Sequence, residues 1–214
     1  CDSDEDAVSP LRSAGIIDAL RDQASNFQSP SVADTCARIL ANLTLQRPSI
    51  MHDAYPLPRL LGNFEVFSTT TQELIIKAAL AIIQSVHSAP TWHEAMNSAA
   101  ELLTFDNKIV VSGIVSLIEA ISKESMGYCN NGTLTMIATA LLVITDPAQI
   151  VSLLGVLTTF STSYQAVNAI FQSPLDFGEI IANVEDSKII GNVYSAIYKL
   201  TAALLNNAFS SPKV

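Results

Sequence analysis

TTQELIIKAALAIIQSVHSAPTWHEAMNSAAELLT, residues 70–104, holds two helix starts and two apolar stripes in one run. Thr70-Thr71-Gln72-Glu73 and Thr91-Trp92-His93-Glu94 both read T-x-x-E, the capping box in which Thr and Glu each satisfy an unpaired N–H at the start of a helix. Behind the first box, Leu74, Ala78, Ala79 and Ile82 recur at three and four, so one face of a helix is apolar. Outward from this stretch the pattern repeats. Ser9-Pro10, Asp146-Pro147-Ala148-Gln149 and Ser173-Pro174 place a capping residue before a proline, which suits the first helical position because the missing N–H would be unpaired there anyway. Ser31-Val32-Ala33-Asp34 reads as a further start. Ile16, Leu20, Ala24 and Phe27 form one stripe, and Ile189, Val193, Ile197, Leu200, Leu204 and Leu205 another. The reading is all-α, with about ten helices near 10–26, 32–45, 57–64, 71–87, 92–104, 107–122, 133–144, 148–159, 163–172 and 188–208, and a short turn near 177–183. No segment alternates at period two between hairpin signals, so strands are not required.

Composition narrows the function classes. The chain has 214 residues, 49% hydrophobic and only 14% charged, with 20 acids against 11 bases and a net charge of −9. An acidic chain without a Lys/Arg cluster is a poor match for nucleic acid or an anionic membrane, and its apolar content argues against disorder. All five arginines lie between Arg12 and Arg59, and from Glu124 to Ser187 there is no Lys or Arg. The helices near 107–122, 133–144 and 148–159 are apolar on most sides, which implies central burial or cover by a partner. Leu134 to Phe160 does not make a membrane span, because Asp146-Pro147 divides it into runs well short of the roughly 20 residues a span needs. The expected organisation is an acidic tail over 1–8, a single helical domain over 9–208 and a C-terminal tail over 209–214.

Residues 13–44, SAGIIDALRDQASNFQSPSVADTCARILANLT, resemble the last two helices of an armadillo repeat: a glycine-led helix, a polar turn, then V-x-x-x-C-A-x-x-L-x-N-L from Val32 to Leu43. The first helix departs by one residue from the usual G-I-x-x-L, which Gly113-Ile114-Val115-Ser116-Leu117 does match. Leu57, Leu60 and Leu61 followed by Leu74, Ala78, Ala79 and Ile82 fit a second copy, and beyond about residue 124 the pattern is lost. The resemblance implies an armadillo-like array whose third helices line a peptide-binding surface, with Asn42 at the clamping asparagine and Gln84 in the comparable region of the next unit. A closed multi-helix bundle is the rival architecture.

Little of the sequence reads as reactive chemistry. HExxH, GxSxG, Walker and GxGxxG motifs are absent, and His52, His87 and His93 lack a further ligand at zinc spacing. No enzyme activity, catalytic residue, metal or cofactor is expected. Cys36 lies on the apolar stripe with Val32, Ile39 and Leu43 and reads as a small core residue. A Cys36–Cys129 pair would leave Cys1 for an interchain bond. Asn42-Leu43-Thr44 and Asn131-Gly132-Thr133 are sequons, although an asparagine inside a packed helix such as Asn42 is a poor acceptor. Sequons, few lysines and a start at Cys1 before Asp2-Ser3-Asp4-Glu5-Asp6 lead to the expectation of a secreted or extracellular protein, with a cytoplasmic one as the alternative. Glu94, Glu101, Glu119 and Glu124 are assigned to solvated faces, and Trp92 to packing between helices. The functional expectation is a non-enzymatic interaction or structural domain that binds protein partners, self-associates or builds an extracellular assembly. The alternative is a carrier of a lipid or other apolar small molecule in a cavity lined by Ile114, Leu117, Met136, Ile137, Leu141, Leu153, Leu157 and Phe160.

Overall fold

Helix follows helix throughout the computed structural model, which describes residues 8–87, 90–124, 129–184 and 189–208 and contains no strand among them. Two compact units divide the chain, Cys1–Thr91 and Trp92–Val214.

The first unit contains α1 (Val8–Ser13), α2 (Ile16–Ala24), α3 (Pro30–Gln46), α4 (Pro48–Ala54), α5 (Leu57–Leu61), a 3-10 turn at Phe64–Val66 and α6 (Thr69–Ser85). The helix expected over 10–26 is interrupted, because Gly15 takes φ +70° and its N–H bonds the Arg12 carbonyl; that left-handed step suits a residue without Cβ. Helix α4, started by Pro48 at a first helical position, fills part of the interval between the helices expected near 32–45 and 57–64. The longest helices, α3 and α6, pack on each other, with α2 and α4 against them.

In the second unit come α7 (Trp92–Glu101), a 3-10 turn at Leu102–Thr104, α8 (Lys108–Glu124), α9 (Asn131–Ala140), α10 (Pro147–Phe160), α11 (Tyr164–Gln172), α12 (Phe177–Ala182) and α13 (Ile190–Ala208). The packing is layered. Helices α8, α10 and α13 stack in chain order, α7, α9 and α11 stack beside them, and α7–α8, α9–α10 and α11–α13 connect the layers.

One register runs through both units. The long helices α3, α6, α8, α10 and α13 begin at residues 30, 69, 108, 147 and 190, steps of 39, 39, 39 and 43. Counted from each start, the fourth residue is buried in all five: Ala33, Gln72, Val111, Ile150 and Val193. So is the seventh (Cys36, Ile75, Ile114, Leu153, Ala196) and the eleventh (Leu40, Ala79, Ile118, Leu157, Leu200). The fifteenth is Thr44, Ile83, Ser122, Ser161 just past α10, and Leu204, all buried. The spacing of the long helices and their buried positions thus extends past residue 124. Four residues at three- and four-residue intervals form one stripe of a helix, and burying it against neighbours supplies most of the helix's stability.

Polar bonds tie one repeat to the next. Asp34, fifth in α3, accepts from the Ser68 N–H (2.7 Å), the Ser68 hydroxyl (2.9 Å) and the Thr71 hydroxyl (3.0 Å) at the start of α6. Helix α6 thus starts at Thr69 without a side-chain cap of its own, and the expected Thr70 box is replaced by a carboxylate from α3. Nor does Thr91 form the second box, since its buried hydroxyl has no hydrogen-bond partner. Glu119 of α8 accepts from Lys123 (2.8 Å) and from Ser152 of α10 (3.0 Å), so it joins two helices rather than simply facing solvent. Thr133 donates to Asn97 (3.0 Å) and joins α9 to α7.

Candidate functional site

Two connections, each leading into a long helix, form a cleft of about 310 Å³ in the second unit. Before α8, the turn at Leu102–Thr104 runs through Phe105 and Asp106 to Asn107, whose side-chain oxygen accepts from the Ile109 N–H (3.0 Å) and Val110 N–H (3.3 Å). Before α10, the chain leaves α9 through Val143, Ile144 and Thr145 to Asp146, which accepts from Ala148 (2.8 Å) and Gln149 (3.3 Å). Asn107 and Asp146 thus do the same work one 39-residue step apart, each immediately before its helix. The Asp146-Pro147 start expected from sequence is present as read.

The cleft has an apolar floor and a charged rim. Leu103, Val111 and Ile144 are buried beneath it, while the exposed Val143, Asp106, Lys108 and Asp146 stand around it. The lining thus sets apolar side chains beside two carboxylates, Asp106 and Asp146, and one ammonium group, Lys108. The aspartates were not singled out from sequence as a pair. Spacing marks only the caps, since Asn107 and Asp146 lie 39 residues apart, whereas Asp106 is matched at that step by Thr145.

The expected carrier residues lie elsewhere. Ile114, Leu117, Ile137, Leu141, Leu153, Leu157 and Phe160 are buried core side chains and Met136 is half-buried. Ile114, Leu153 and Leu157 occupy the repeating core positions, seventh and eleventh, so their apolar character is accounted for by helix packing.

No disulfide joins Cys36 to Cys129. Cys36 and Cys129 are both free thiols. Cys36 is the seventh residue of α3, buried where α6 and α8 carry isoleucine. Cys129 lies in the other unit, just before α9, where burial pushes its thiol up to about 12 despite an opposing hydrogen bond with Thr133. Cys1 lies outside the described residues.

Asn131 is exposed in the first turn of α9, and Asn42 is exposed in the middle of α3 with its amide donating to the Arg38 carbonyl (2.9 Å). Residues at Asn42's position in the next three long helices are Ala81, Ala120 and Thr159. An asparagine ladder is therefore not built along them. Trp92 is buried, as its packing assignment required. His52 is pulled below the usual histidine value by burial, with Asp53 opposing the shift. His93 lies 3.9 Å from Glu94. Among the described residues no group of three or more His, Cys, Asp or Glu is placed to hold a metal ion, and no helix is long and apolar enough to cross a membrane.

A second, more open groove of about 430 Å³ runs past Arg21, Tyr55, Arg59 and Asn63 in the first unit. Within it Arg21 pairs with Asp18 (2.8 Å) and Asp22 (3.4 Å), and the Tyr55 hydroxyl donates to the Arg59 carbonyl (3.1 Å).

No protein-family model matches the chain, and no curated protein matches it.

Proposed function

We propose that this chain is a non-enzymatic helical-repeat scaffold of armadillo-like type that binds protein partners. The observation that carries the reading is the shared register: five long helices bury the same positions at near-constant spacing. An array of that kind is assembled from local, nearest-neighbour interfaces and presents equivalent loops side by side, which is how repeat proteins build binding surfaces. Missing asparagines at the Asn42 position argue against backbone clamping along the long helices. The Val143–Asp146 cleft is the better recognition site. Its apolar floor and its two aspartates fit a peptide segment bearing an apolar side chain next to Lys or Arg, and the chain's net charge of −9 favours a basic partner.

Selection of a random peptide library against the protein tests this. Enriched peptides should pair an apolar residue with a base, and Val143→Arg should abolish their binding while far-UV circular dichroism stays unchanged. A library that yields no enriched sequence, or binders indifferent to Val143→Arg and Asp106→Asn, would refute the reading.

A further inference from the structure

Within each unit, the register fixes which side of a long helix meets the long helix before it and which meets the one after it, as α3 meets α6, α8 meets α10 and α10 meets α13. Asp34, fifth in α3, bonds Thr71, third in α6, and Glu119, twelfth in α8, bonds Ser152 of α10. Fifth, eighth and twelfth residues therefore lie toward the following helix. Third, tenth and fourteenth residues lie toward the preceding one, because they share a side at helical spacing. In α6 that preceding side is Thr71, Ala78 and Ile82, all buried; in α10, Val156 and Phe160 are buried on it as well.

The first and last of these five helices break the pattern in complementary ways. On α3 the third and tenth residues are Val32 and Ile39, exposed by 45% and 41%. Apolar side chains thus stand open at positions that α6 buries. On α13 the side toward a following helix carries Tyr194, Ile197 and the half-buried Thr201, whose hydroxyl donates to the Ile197 carbonyl, with Tyr198 and Leu205 beside them; Tyr194, Tyr198 and Leu205 are 50%, 75% and 50% exposed. The eighth residue, buried as Ala37, Ile76, Val115 and Leu154 in the four earlier helices, is only half-buried as Ile197. A terminal repeat that ends an array ordinarily shows a polar outer face. Neither of these faces is polar.

We infer that the α13 face of one copy docks on the α3 face of a second copy, continuing the helix-on-helix interface that α10 makes with α13 and α3 makes with α6. The occupant is argued from the register: the side that α3 leaves open is the one on which α6 receives its predecessor, and the side that α13 leaves open is the one by which α3 meets its successor. The two surfaces differ, so the contact is heterologous and adds chains head to tail. It is an apolar contact between acidic chains, so salt strengthens it by screening the net charge. The inference rests on the repeat reading and specifies self-assembly as one of its uses.

Sedimentation velocity in reducing buffer, over a range of protein and salt concentrations, provides the test. The expected result is a mass that rises with concentration and with salt. Val32→Lys/Ile39→Lys and Tyr194→Lys/Tyr198→Lys should each be monomeric, weakening association by at least about tenfold, although each lowers the net negative charge. Mixed together they should form a two-chain species and nothing larger, since each keeps one intact face. Circular dichroism of both variants checks their folding, and because all four residues are exposed the helices should be retained. A wild-type chain that stays monomeric in high salt would overturn the inference and leave a flanking repeat of a longer chain as the other occupant. Two variants that fail to pair would overturn it equally. A monomer that still selects peptides through Val143 defeats this inference alone and leaves the scaffold reading standing.

Discussion

Replacing Asp34 by alanine removes three hydrogen bonds that cross from one repeat to the next. The carboxylate accepts from the Ser68 N–H, the Ser68 hydroxyl and the Thr71 hydroxyl at 2.7–3.0 Å. Hydrogen bonds to a charged group contribute about 1.5–3 kcal/mol each when sheltered. Here Ser68 is exposed and water replaces part of the loss, while the buried Thr71 hydroxyl keeps its 3.1 Å contact with Ser68. Loss of an N-terminal cap costs about 0.5–2 kcal/mol on its own. Asp34→Ala should therefore destabilise the first unit by about 2 kcal/mol, and Asp34→Asn, which keeps one acceptor oxygen, by about 1 kcal/mol. Burial pushes the Asp34 carboxyl up, but the bonds from Ser68 and Thr71, with Arg38 nearby, outweigh it and hold the group below its ordinary value of 3.8. A depressed folded pKa stabilises the protein fully above 3.8, and that contribution is lost as pH falls through the folded value. Urea unfolding followed by circular dichroism, at neutral pH and across the acid range, measures both effects, and hydrogen exchange at the Ser68 amide localises them. Wild type and Asp34→Ala should converge in acid. A loss under about 0.5 kcal/mol at neutral pH, or a gap that persists unchanged in acid, would refute the reasoning.

Leu157→Ala, at the eleventh position of α10 where Leu40, Ile118 and Leu200 are also buried, should cost about 2–5 kcal/mol in the same unfolding assay. Two glycines should respond with opposite sign. Gly15→Ala forces a Cβ into a φ of +70° and should lose about 1 kcal/mol, whereas Gly155→Ala, with nothing within 4 Å of a new Cβ on an exposed helix face, should gain about 0.5–1 kcal/mol; thermal melts of the pair report the signs. Cys129, its thiol pushed up to about 12, and the buried Cys36 should both label slowly with iodoacetamide at pH 8 in the folded protein and rapidly after unfolding in urea. Non-reducing mass spectrometry after trapping should find no Cys36–Cys129 crosslink.

Most helices were legible because each announces itself locally. Asp146 caps α10 with Pro147 in its first turn, as the sequence required, and apolar residues recur at three and four along most helices, whereas α4, begun by Pro48, was not read as a helix. The repeat beyond residue 124 was illegible because the register preserves burial and not identity. Thr44, Ile83, Ser122, Ser161 and Leu204 share one position but no side-chain chemistry. Thr70 and Thr91 were misread for a related reason. A capping box is inferred from neighbours in sequence, whereas the start of α6 is held by Asp34, 34 residues upstream of Ser68. The candidate cleft was hidden because its floor and rim come from two connections that are ordinary loops when read one at a time.

What the amino-acid sequence determined alone is the helical class, because 3.6-residue periodicity and terminal capping act within a few residues of chain; the face that meets the core was legible only in part, since Ile16 and Phe27 of one expected stripe, Ile189 and Leu205 of another, and Val32 and Ile39 beside Cys36 are exposed. What only the tertiary structure decided is the layering, the common register, the fate of the cysteines and the cleft. Those depend on which helix lies beside which, and that choice is made by side chains distant in sequence, through packing and hydrogen bonds that span 33 to 37 residues and leave no local mark.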